Sequence, residues 1–372
     1  MPRVSIVLPT YNGEKYIKQS VDSIIKQSFK DWELIIVNDC SKDATPNIIQ
    51  YYARKEQRIK VINNKTNQKL PTSLNIGFAE AGGEYLTWTS DDNVYFPNAI
   101  EYMVTTLDQN SEYEMVCADM RCINEEGTIL KNEVLHYDDT MQCFNNLVGA
   151  CFMYRRGVME RVGEYNTDLI FVEDYDYWMR VKKYYKKIHR ISCVLYSYRS
   201  HPKSLTETKQ KEIQKQLMRM RKNHIDLILS ELCDKKEYIC KIYYEFINCS
   251  FKVNDIEKKF FKIMPELKNE KITMFENKKY MIFGAGEIGE EAYKILKDKA
   301  CLFVDNNKEK IGTMKCGLPI ISYQKMFEYL EIYNIMIAVS NDFIYEIIEK
   351  LYKKNIVNYC TYQYYIMNYF KF

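Results

Sequence analysis

The sequence predicts an α/β protein: a doubly wound, mostly parallel sheet in the first half, a helical connector, and a second, smaller α/β domain at the end. Three observations carry this. Short apolar runs alternate with segments of helical periodicity from Val4 to Thr89. Lys-rich amphipathic segments then follow from Glu207 to about Asn277. A strand, a glycine turn and another helix start again at Tyr280. The expected boundaries are 1–206, 207–277 and 278–372. A length of 372 residues suits two domains, and 47% hydrophobic with 28% charged residues is ordinary for a globular chain. A net charge of +3 gives no reason to expect a nucleic-acid partner.

Val4-Ser5-Ile6-Val7-Leu8 is a short apolar strand, broken by Pro9-Thr10-Tyr11-Asn12-Gly13. Glu14 begins a helix with Ile17, Val21, Ile24 and Ile25 on one face. Glu33 to Val37 is a second buried strand that leaves at Asn38-Asp39-Cys40-Ser41, and Asp43 caps a helix through about Arg54. Ile59 to Ile62 is a third strand, and Thr72 to Ala81 a helix closed by Gly82-Gly83. Leu86-Thr87-Trp88-Thr89 is a strand that runs out into Ser90-Asp91-Asp92-Asn93. Polar residues thus gather at the carboxyl ends of strands, where such sheets bind ligands. Two adjacent carboxylates stay ionised together most easily when a cation or hydrogen-bond donors face them. Ser-Asp-Asp-Asn is also good turn chemistry, and Thr10 and Asp39 also suit caps and turns, so both readings stand on the residues alone.

Taken in order, Val-Ser-Ile-Val-Leu-Pro-Thr-Tyr-Asn, Leu-Ile-Ile-Val-Asn-Asp-Cys-Ser and Gly-Glu-Tyr-Leu-Thr-Trp-Thr-Ser-Asp-Asp-Asn resemble the family 2 glycosyltransferases of GT-A fold, spore-coat and surface-polysaccharide type. The resemblance runs from the N-terminus to about Thr206. It implies that Thr10, Tyr11, Asn12 and Asp39 hold the nucleotide of a nucleotide-diphosphate sugar, with Asp39 accepting a hydrogen bond from a uracil ring. It places Asp91 near the ribose and Lys69 near base or phosphate, and gives Asp92 a divalent cation, Mn²⁺ or Mg²⁺, bridging the diphosphate. A hard cation of this kind keeps several waters and needs only one or two protein carboxylates. Many members carry a longer acidic run where this chain has Thr89 and Ser90, which leaves the metal mainly to Asp92.

Pro97 opens a helix through Leu107, Glu114–Ala118 and Thr128–Leu130 read as strands around a Gly127 turn, and Asn146–Tyr154 is a turn and strand. Arg155, Arg156 and Arg161 are expected to be solvated, with acceptor or phosphate contact as the minority reading. Glu173-Asp174 opens an aromatic-rich helix, a position where acids are common for dipole reasons alone. By the resemblance, Asp174 is the base that deprotonates the acceptor hydroxyl, Glu173 orients the acceptor or caps the helix, and Asp176 is structural or acceptor-facing. Tyr196 to Thr206 completes the family pattern, with Arg199 as a diphosphate clamp and His201 as a metal or diphosphate ligand, or as an inert loop histidine. The reaction implied is inverting transfer from a UDP-type donor to a glycan or lipid-linked glycan acceptor in surface polysaccharide synthesis.

In the last quarter, Tyr280–Phe283 is a strand, Gly284-Ala285-Gly286-Glu287-Ile288-Gly289 a glycine turn, and Cys301–Val304 a strand ending at Asp305. That context is right for a Rossmann-like unit with Gly284, Gly286, Gly289 and Asp305 as its phosphate loop. It resembles small modules attached to sugar-nucleotide acyltransferases and to some glycosyltransferases, which are either scaffold or nucleotide sites. Ile335–Val339 is a later strand, and the tyrosine-rich end is a packed element or a homo-oligomer contact. The twelve cysteines have no CxxC pair or regular spacing and read as reduced thiols. No apolar run spans a bilayer and Pro9 cuts off the first one, so the expected location is cytoplasmic, at most at the inner face of a membrane. Two rivals are an NAD-dependent oxidoreductase on the second glycine motif and a non-catalytic sugar-nucleotide scaffold. Against the first, Tyr293 and Lys297 lie directly after the glycine loop, where they cannot serve dehydrogenase chemistry.

Overall fold

The computed structural model describes residues 1–133, 140–185, 187–202, 204, 208–248, 256–269, 279–356 and 359–369. They form two compact units, 1–220 and 221–372. The helices between 207 and 277 fall on both sides of that division, and Lys203, Leu205 and Thr206 of the Tyr196–Thr206 segment lie outside the described residues.

The first unit begins with β1 (Val4–Thr10), α1 (Ile17–Ile25), β2 (Trp32–Asn38), α2 (Thr45–Lys55), β3 (Ile59–Asn63), α3 (Leu70–Ala79) and β4 (Tyr85–Trp88). It continues with β5 (Val94–Tyr95), α4 (Ala99–Gln109), β6 (Met115–Ile123), β7 (Ile129–Glu133), β8 (Phe152–Arg155), α5 (Arg156–Val162), α6 (Glu173–Tyr184) and β9 (His189–Arg199). The sheet order is β3-β2-β1-β4-β8-β6-β9-β5, with β7 on β6. β3, β2, β1 and β4 are parallel, and β8 turns the sheet by pairing antiparallel with β4 and β6. The chain reverses its winding between β1 and β4, so a ligand crevice belongs at the carboxyl ends of β1, β2 and β4.

Both faces of the central strands are covered, which is why they read as continuous apolar runs. Val4, Ile6, Leu8, Leu34 and Ile36 pack with Ile17, Val21 and Ile24 of α1 and Ile49 of α2 on one side. Val7, Ile35 and Val37 meet Leu74 and Phe78 of α3 and Trp178 of α6 on the other. Gly77 lets α3 lie close on β1, since a Cβ there would come within 2.4 Å of Val7 Cγ1. Some boundaries differ from the sequence reading. The first helix starts at Ile17, because Glu14 serves another helix: its Oε2 accepts the Ala44 N–H at 2.7 Å, ahead of α2. Asp43 caps the same end, its Oδ1 accepting Thr45 N–H at 3.0 Å.

α7 (Gln210–Asn223) closes the first unit and enters the second, which continues with α8 (Ile225–Glu231), α9 (Lys236–Asn248) and α10 (Glu257–Ile263). Its sheet contains β10 (Tyr280–Phe283), β11 (Ala300–Asp305), β12 (Met314–Lys315), β13 (Leu318–Ser322), β14 (Asn334–Ile337) and β15 (Tyr359–Thr361). The helices between them are α11 (Glu287–Leu296), α12 (Tyr323–Met326) and α13 (Asn341–Lys353), and α14 (Tyr362–Tyr369) follows β15. The strand order β12-β13-β11-β10-β14-β15 is a doubly wound arrangement with its own reversal between β10 and β14. Among the described cysteines none is in a disulfide, and Cys117 and Cys151 are buried whereas Cys193 and Cys301 are half-buried. No helix among the described residues is long and apolar enough to cross a membrane.

Candidate active site

A cleft of about 1910 Å³ opens where the first sheet reverses its winding. Thr10, Tyr11, Asn12, Asp39, Lys69, Asp91, Asp92, Glu173, Asp174 and His201 all line it. Residues up to 191 positions apart in the chain therefore share one cavity, because β1, β2, β4 and β9 lead to it and α6 starts from it.

The acid pair after β4 lines the cleft. Asp91 Oδ2 accepts a hydrogen bond from Thr10 Oγ1, and the Tyr11 N–H also donates to this carboxylate. Burial first, then the neighbouring Asp92 charge, pushes the Asp91 carboxyl up to about 7. Gly13 makes room for it: a Cβ at that position would stand 2.1 Å from Asp91 Oδ2. Burial raises Asp92 as well, opposed by its hydrogen bond with His201. His201 Nε2 lies 3.1 Å from Asp92 Oδ2, while Asp92 Oδ1 is buried with no hydrogen-bond partner. A buried carboxylate oxygen left unpaired beside an imidazole is a donor set that a divalent cation such as Mn²⁺ completes. Among the described residues no three His, Cys, Asp or Glu side chains cluster to hold a metal. The protein can thus offer two ligands, and a diphosphate and water would complete the shell of such an ion.

Asp39 organises the far wall. Its Oδ1 accepts from Asn64 Nδ2 at 2.8 Å and Gln68 N–H at 2.7 Å, and its Oδ2 from Lys69 N–H at 2.9 Å. The loop before α3 is wrapped around this carboxylate, with Lys69 at φ 72°. Oδ2 keeps a lone pair for one more donor. Asn12, at φ 55°, receives the Lys42 N–H on its side chain and gives its own N–H to Ser41 Oγ. Tyr11 is 51% exposed at the mouth, which leaves its ring face open.

The second acid pair opens α6. Asp174 Oδ1 accepts the Tyr175 N–H at 2.6 Å, and Oδ2 accepts Asn146 Nδ2 at 3.0 Å. Burial raises its carboxyl above the ordinary range against those bonds. Glu173 is 4% exposed with Oε2 unpartnered, and burial followed by the Asp174 charge pushes it up to about 8. Phe171, at φ 78°, bends the chain into the pair, a conformation that a bulky residue adopts only at a cost. Asp176 is buried and paired with Arg180 at 2.9 Å, which makes it a structural residue. Asn146 and Gly13 escaped the sequence reading. Nothing local marks Asn146, 28 residues from its partner, whereas the Tyr-Asn-Gly break after β1 did signal a turn at Gly13.

Three expectations need correction. Arg199 does not line the cleft as a diphosphate clamp. It is 2% exposed, and its guanidinium donates to Asp92 O, Asn124 O, Glu125 O and Gln19 Oε1 at 2.9, 3.0, 2.9 and 2.7 Å. Arg155 and Arg156 are not solvated: Arg155 ties to the carbonyls of Tyr113 and Leu107, and Arg156 to those of Ala81 and Gly83. In the second unit, both oxygens of Asp305 already accept hydrogen bonds from backbone near the glycine turn. It accepts Ala285 N–H at 3.0 Å and Asn307 N–H at 2.8 Å and lies 3.4 Å from Lys310 Nζ, so it braces the glycine turn.

That turn borders a separate cleft of about 580 Å³, to which Gly284 and Gly286 contribute and Gly289 does not. Gly284, at φ 114°, would collide with Ala338 O if it carried a Cβ, and Gly289 with Gly284 O. Both are required by backbone packing. Among the described residues the lining holds Glu287, Asp305 and Glu346 and no Lys or Arg, a poor environment for a diphosphate.

Residues 5–163 match the family model described as Glycosyl transferase family 2. An uncharacterized glycosyltransferase of Haemophilus influenzae is 29% identical over 251 residues, 62% of this chain and 76% of that protein. The putative glycosyltransferase EpsE of Bacillus subtilis is 39% identical over 127 residues, 34% of this chain and 46% of its own length. Solved structures share the architecture. Staphylococcus aureus TarS 1–349 in complex with UDP superposes with a TM-score of 0.52 at 18% identity, over 72% of this chain and 82% of that one. The mannosyltransferase PcManGT from Pyrobaculum calidifontis, in complex with GDP-Man and Mn²⁺, gives 0.51 at 18%, over 62% and 68%. Such identities show a common fold.

Proposed function

We propose, from the premise that residues 5–163 form a family 2 glycosyltransferase domain of GT-A fold, that this chain is an inverting, metal-dependent enzyme moving a sugar from a UDP-type donor to a glycan or lipid-linked glycan in surface polysaccharide synthesis. One observation carries the reading: the unpartnered Asp92 Oδ1 beside His201, and the half-buried Asp174, line the same cleft. Thr10 and Asp91, held against each other, and Asp39 with its wrapped loop form the nucleotide wall. Asp92 and His201 would hold the cation, which supplies Lewis-acid stabilisation to a departing diphosphate when bound. Neighbours bound to UDP and to GDP-Man with Mn²⁺ support a donor of this chemistry.

Asp174 takes the proton. As the acceptor oxygen bonds to the anomeric carbon, the carbon–oxygen bond to the diphosphate breaks, and the acceptor's hydroxyl proton passes to Asp174. Attack opposite the leaving group inverts the centre, and no covalent nucleophile is needed. Burial raises Asp174, which makes its carboxylate a stronger base than an exposed aspartate. The Asn146 and Tyr175 donors fix both its oxygens, so the carboxylate is aimed before the acceptor arrives.

Thermal unfolding tests the reading. UDP with Mn²⁺ at a hundred times Kd should stabilise the chain by about 2.7 kcal/mol, and Asp92→Ala should lose that gain. Stabilisation by NADH and none by UDP would favour an oxidoreductase. Asp174→Asn should cut transfer at least a hundredfold while UDP affinity stays within twofold; an equal loss of both would remove Asp174 as the base.

A further inference from the structure

A cleft of about 1910 Å³ exceeds the roughly 300–1,000 Å³ of ordinary ligand pockets. Part of its lining comes from α7, which lies beyond residues 5–163 of the family match. Glu212, Lys215, Gln216 and Arg219 turn one face of that helix to the cleft at spacings of three and four residues. Lys209 and Glu212 neutralise each other at 3.3 Å. Lys215 and Arg219 remain exposed, and no described carboxylate pairs with either.

A solvated helix face would not favour this pattern. Lys215 and Arg219 are like charges at i,i+4, which weakens a helix. Elsewhere the same chain sets acids opposite its helical lysines, as in Lys350–Glu346 and Lys353–Glu349. On α7, Lys211, Lys215 and Arg219 follow at i,i+4 spacings, and Lys215 and Arg219 are the two of these that line the cavity. Arg219 is also anchored: its Nη1 donates to Gln216 Oε1 at 3.1 Å and to Asp168 O at 3.4 Å. Asp168 belongs to the segment that leads into Glu173-Asp174, so the guanidinium is tied to the wall that carries the base. Most of its N–H donors stay free for a ligand.

We infer that Lys215 and Arg219 form an acceptor subsite for a phosphate ester, with the guanidinium fork and the ammonium holding the acceptor's phosphate or diphosphate while its hydroxyl reaches Asp174. This rests on the transferase reading. The donor's diphosphate belongs at Asp92 and His201, and the base marks the acceptor's side, to which Arg219 is tied through Asp168, with Lys215 one turn away on the same helix. Planar forked donors suit phosphate oxygens. The same chemistry is presented by a lipid diphosphate and by a polyol phosphate.

Titration calorimetry on the full chain saturated with UDP and Mn²⁺ tests the subsite with two probes, farnesyl diphosphate and glycerol 3-phosphate. At least one should bind to the loaded protein, weaken as salt rises, and lose at least tenfold in affinity in the Lys215→Gln/Arg219→Gln double variant, with UDP affinity held within twofold. Binding of farnesyl diphosphate alone identifies a lipid-linked acceptor, and binding of glycerol 3-phosphate identifies a polyol phosphate. No binding of either probe to the UDP-loaded chain overturns the subsite, as does equal binding by the double variant. A matching fall in UDP affinity assigns the two cations to the donor and also overturns it. Failure of UDP and Mn²⁺ to bind at all would instead sink the transferase reading beneath it.

Discussion

Replacing Arg199 by lysine separates a buried strut from a diphosphate clamp. The guanidinium bonds four acceptors on three separate pieces of chain: Gln19 on α1, Asp92 after β4, and Asn124 with Glu125 after β6. It also stacks over Tyr16 at 4.6 Å, and its backbone N–H is fixed by Asn93 Oδ1 at 2.8 Å. A lysine ammonium is a single point and cannot span that fork. At least two of the four bonds should go, each charge-assisted and worth about 1.5–3 kcal/mol, for a loss of about 3–6 kcal/mol. At about 2–4 °C per kcal/mol for a unit of this size, Tm should fall by roughly 6–24 °C. All three tryptophans, Trp32, Trp88 and Trp178, lie in the first unit, so tryptophan fluorescence reports its unfolding alone. UDP affinity, measured well below that transition with Mn²⁺ present, should change much less than stability. A Tm within 2 °C of the parent, combined with a tenfold loss of UDP affinity, would refute the strut and restore the clamp.

Gly13→Ala should weaken UDP binding about tenfold or more in calorimetry without touching the ligand, because the new methyl at 2.1 Å from Asp91 Oδ2 must displace that carboxylate from Thr10. Glu173 tests the pH dependence. Its carboxyl is raised from 4.5 to about 8, so the folded state holds the proton longer than the unfolded chain; that stability is full below about pH 4.5 and is lost as pH climbs to about 8. Glu173→Gln should remove this slope, leaving the variant's Tm ahead of the parent's increasingly from pH 6 to 8; parallel Tm curves would contradict the buried, protonated state.

Much of the first unit is legible in the sequence because its central strands are buried on both faces. Apolar continuity in Val4–Leu8 and Glu33–Val37, followed by polar exits, specifies a strand and its ligand edge without long-range information. β9 was harder to read. His189-Arg190-Ile191-Ser192-Cys193 lacks a clean alternation, and its pairing with β6 carries register shifts at Ala118–Met120. The charged residues failed for a different reason. Arg155, Arg156 and Arg199 look like surface or ligand groups by type, and only the fold shows backbone carbonyls arriving to take their donors. Asp305 is the same case in reverse, since its place after β11 marks a member of the phosphate loop until the Ala285 N–H is seen to bond it.

The two acid pairs of the cleft look alike in sequence but are set apart by their surroundings, and that difference assigns their roles. Each pair places adjacent carboxylates in a buried wall, and each leaves one oxygen without a partner, Asp92 Oδ1 and Glu173 Oε2. Such a group is tolerated only if it is neutralised by a proton or by a positive ligand. Around Asp92 stand His201 and the carbonyl-bound Arg199, both of which favour its ionised form, so a cation is the fitting partner. Around Glu173 and Asp174 stand Asn146 and the Tyr175 amide, with Tyr175 and Trp178 buried in the same helix, and no described cation pairs with either acid. A proton is therefore the partner there: Glu173 keeps one near neutral pH, and Asp174, better supplied with donors, is the member of that pair free to accept another.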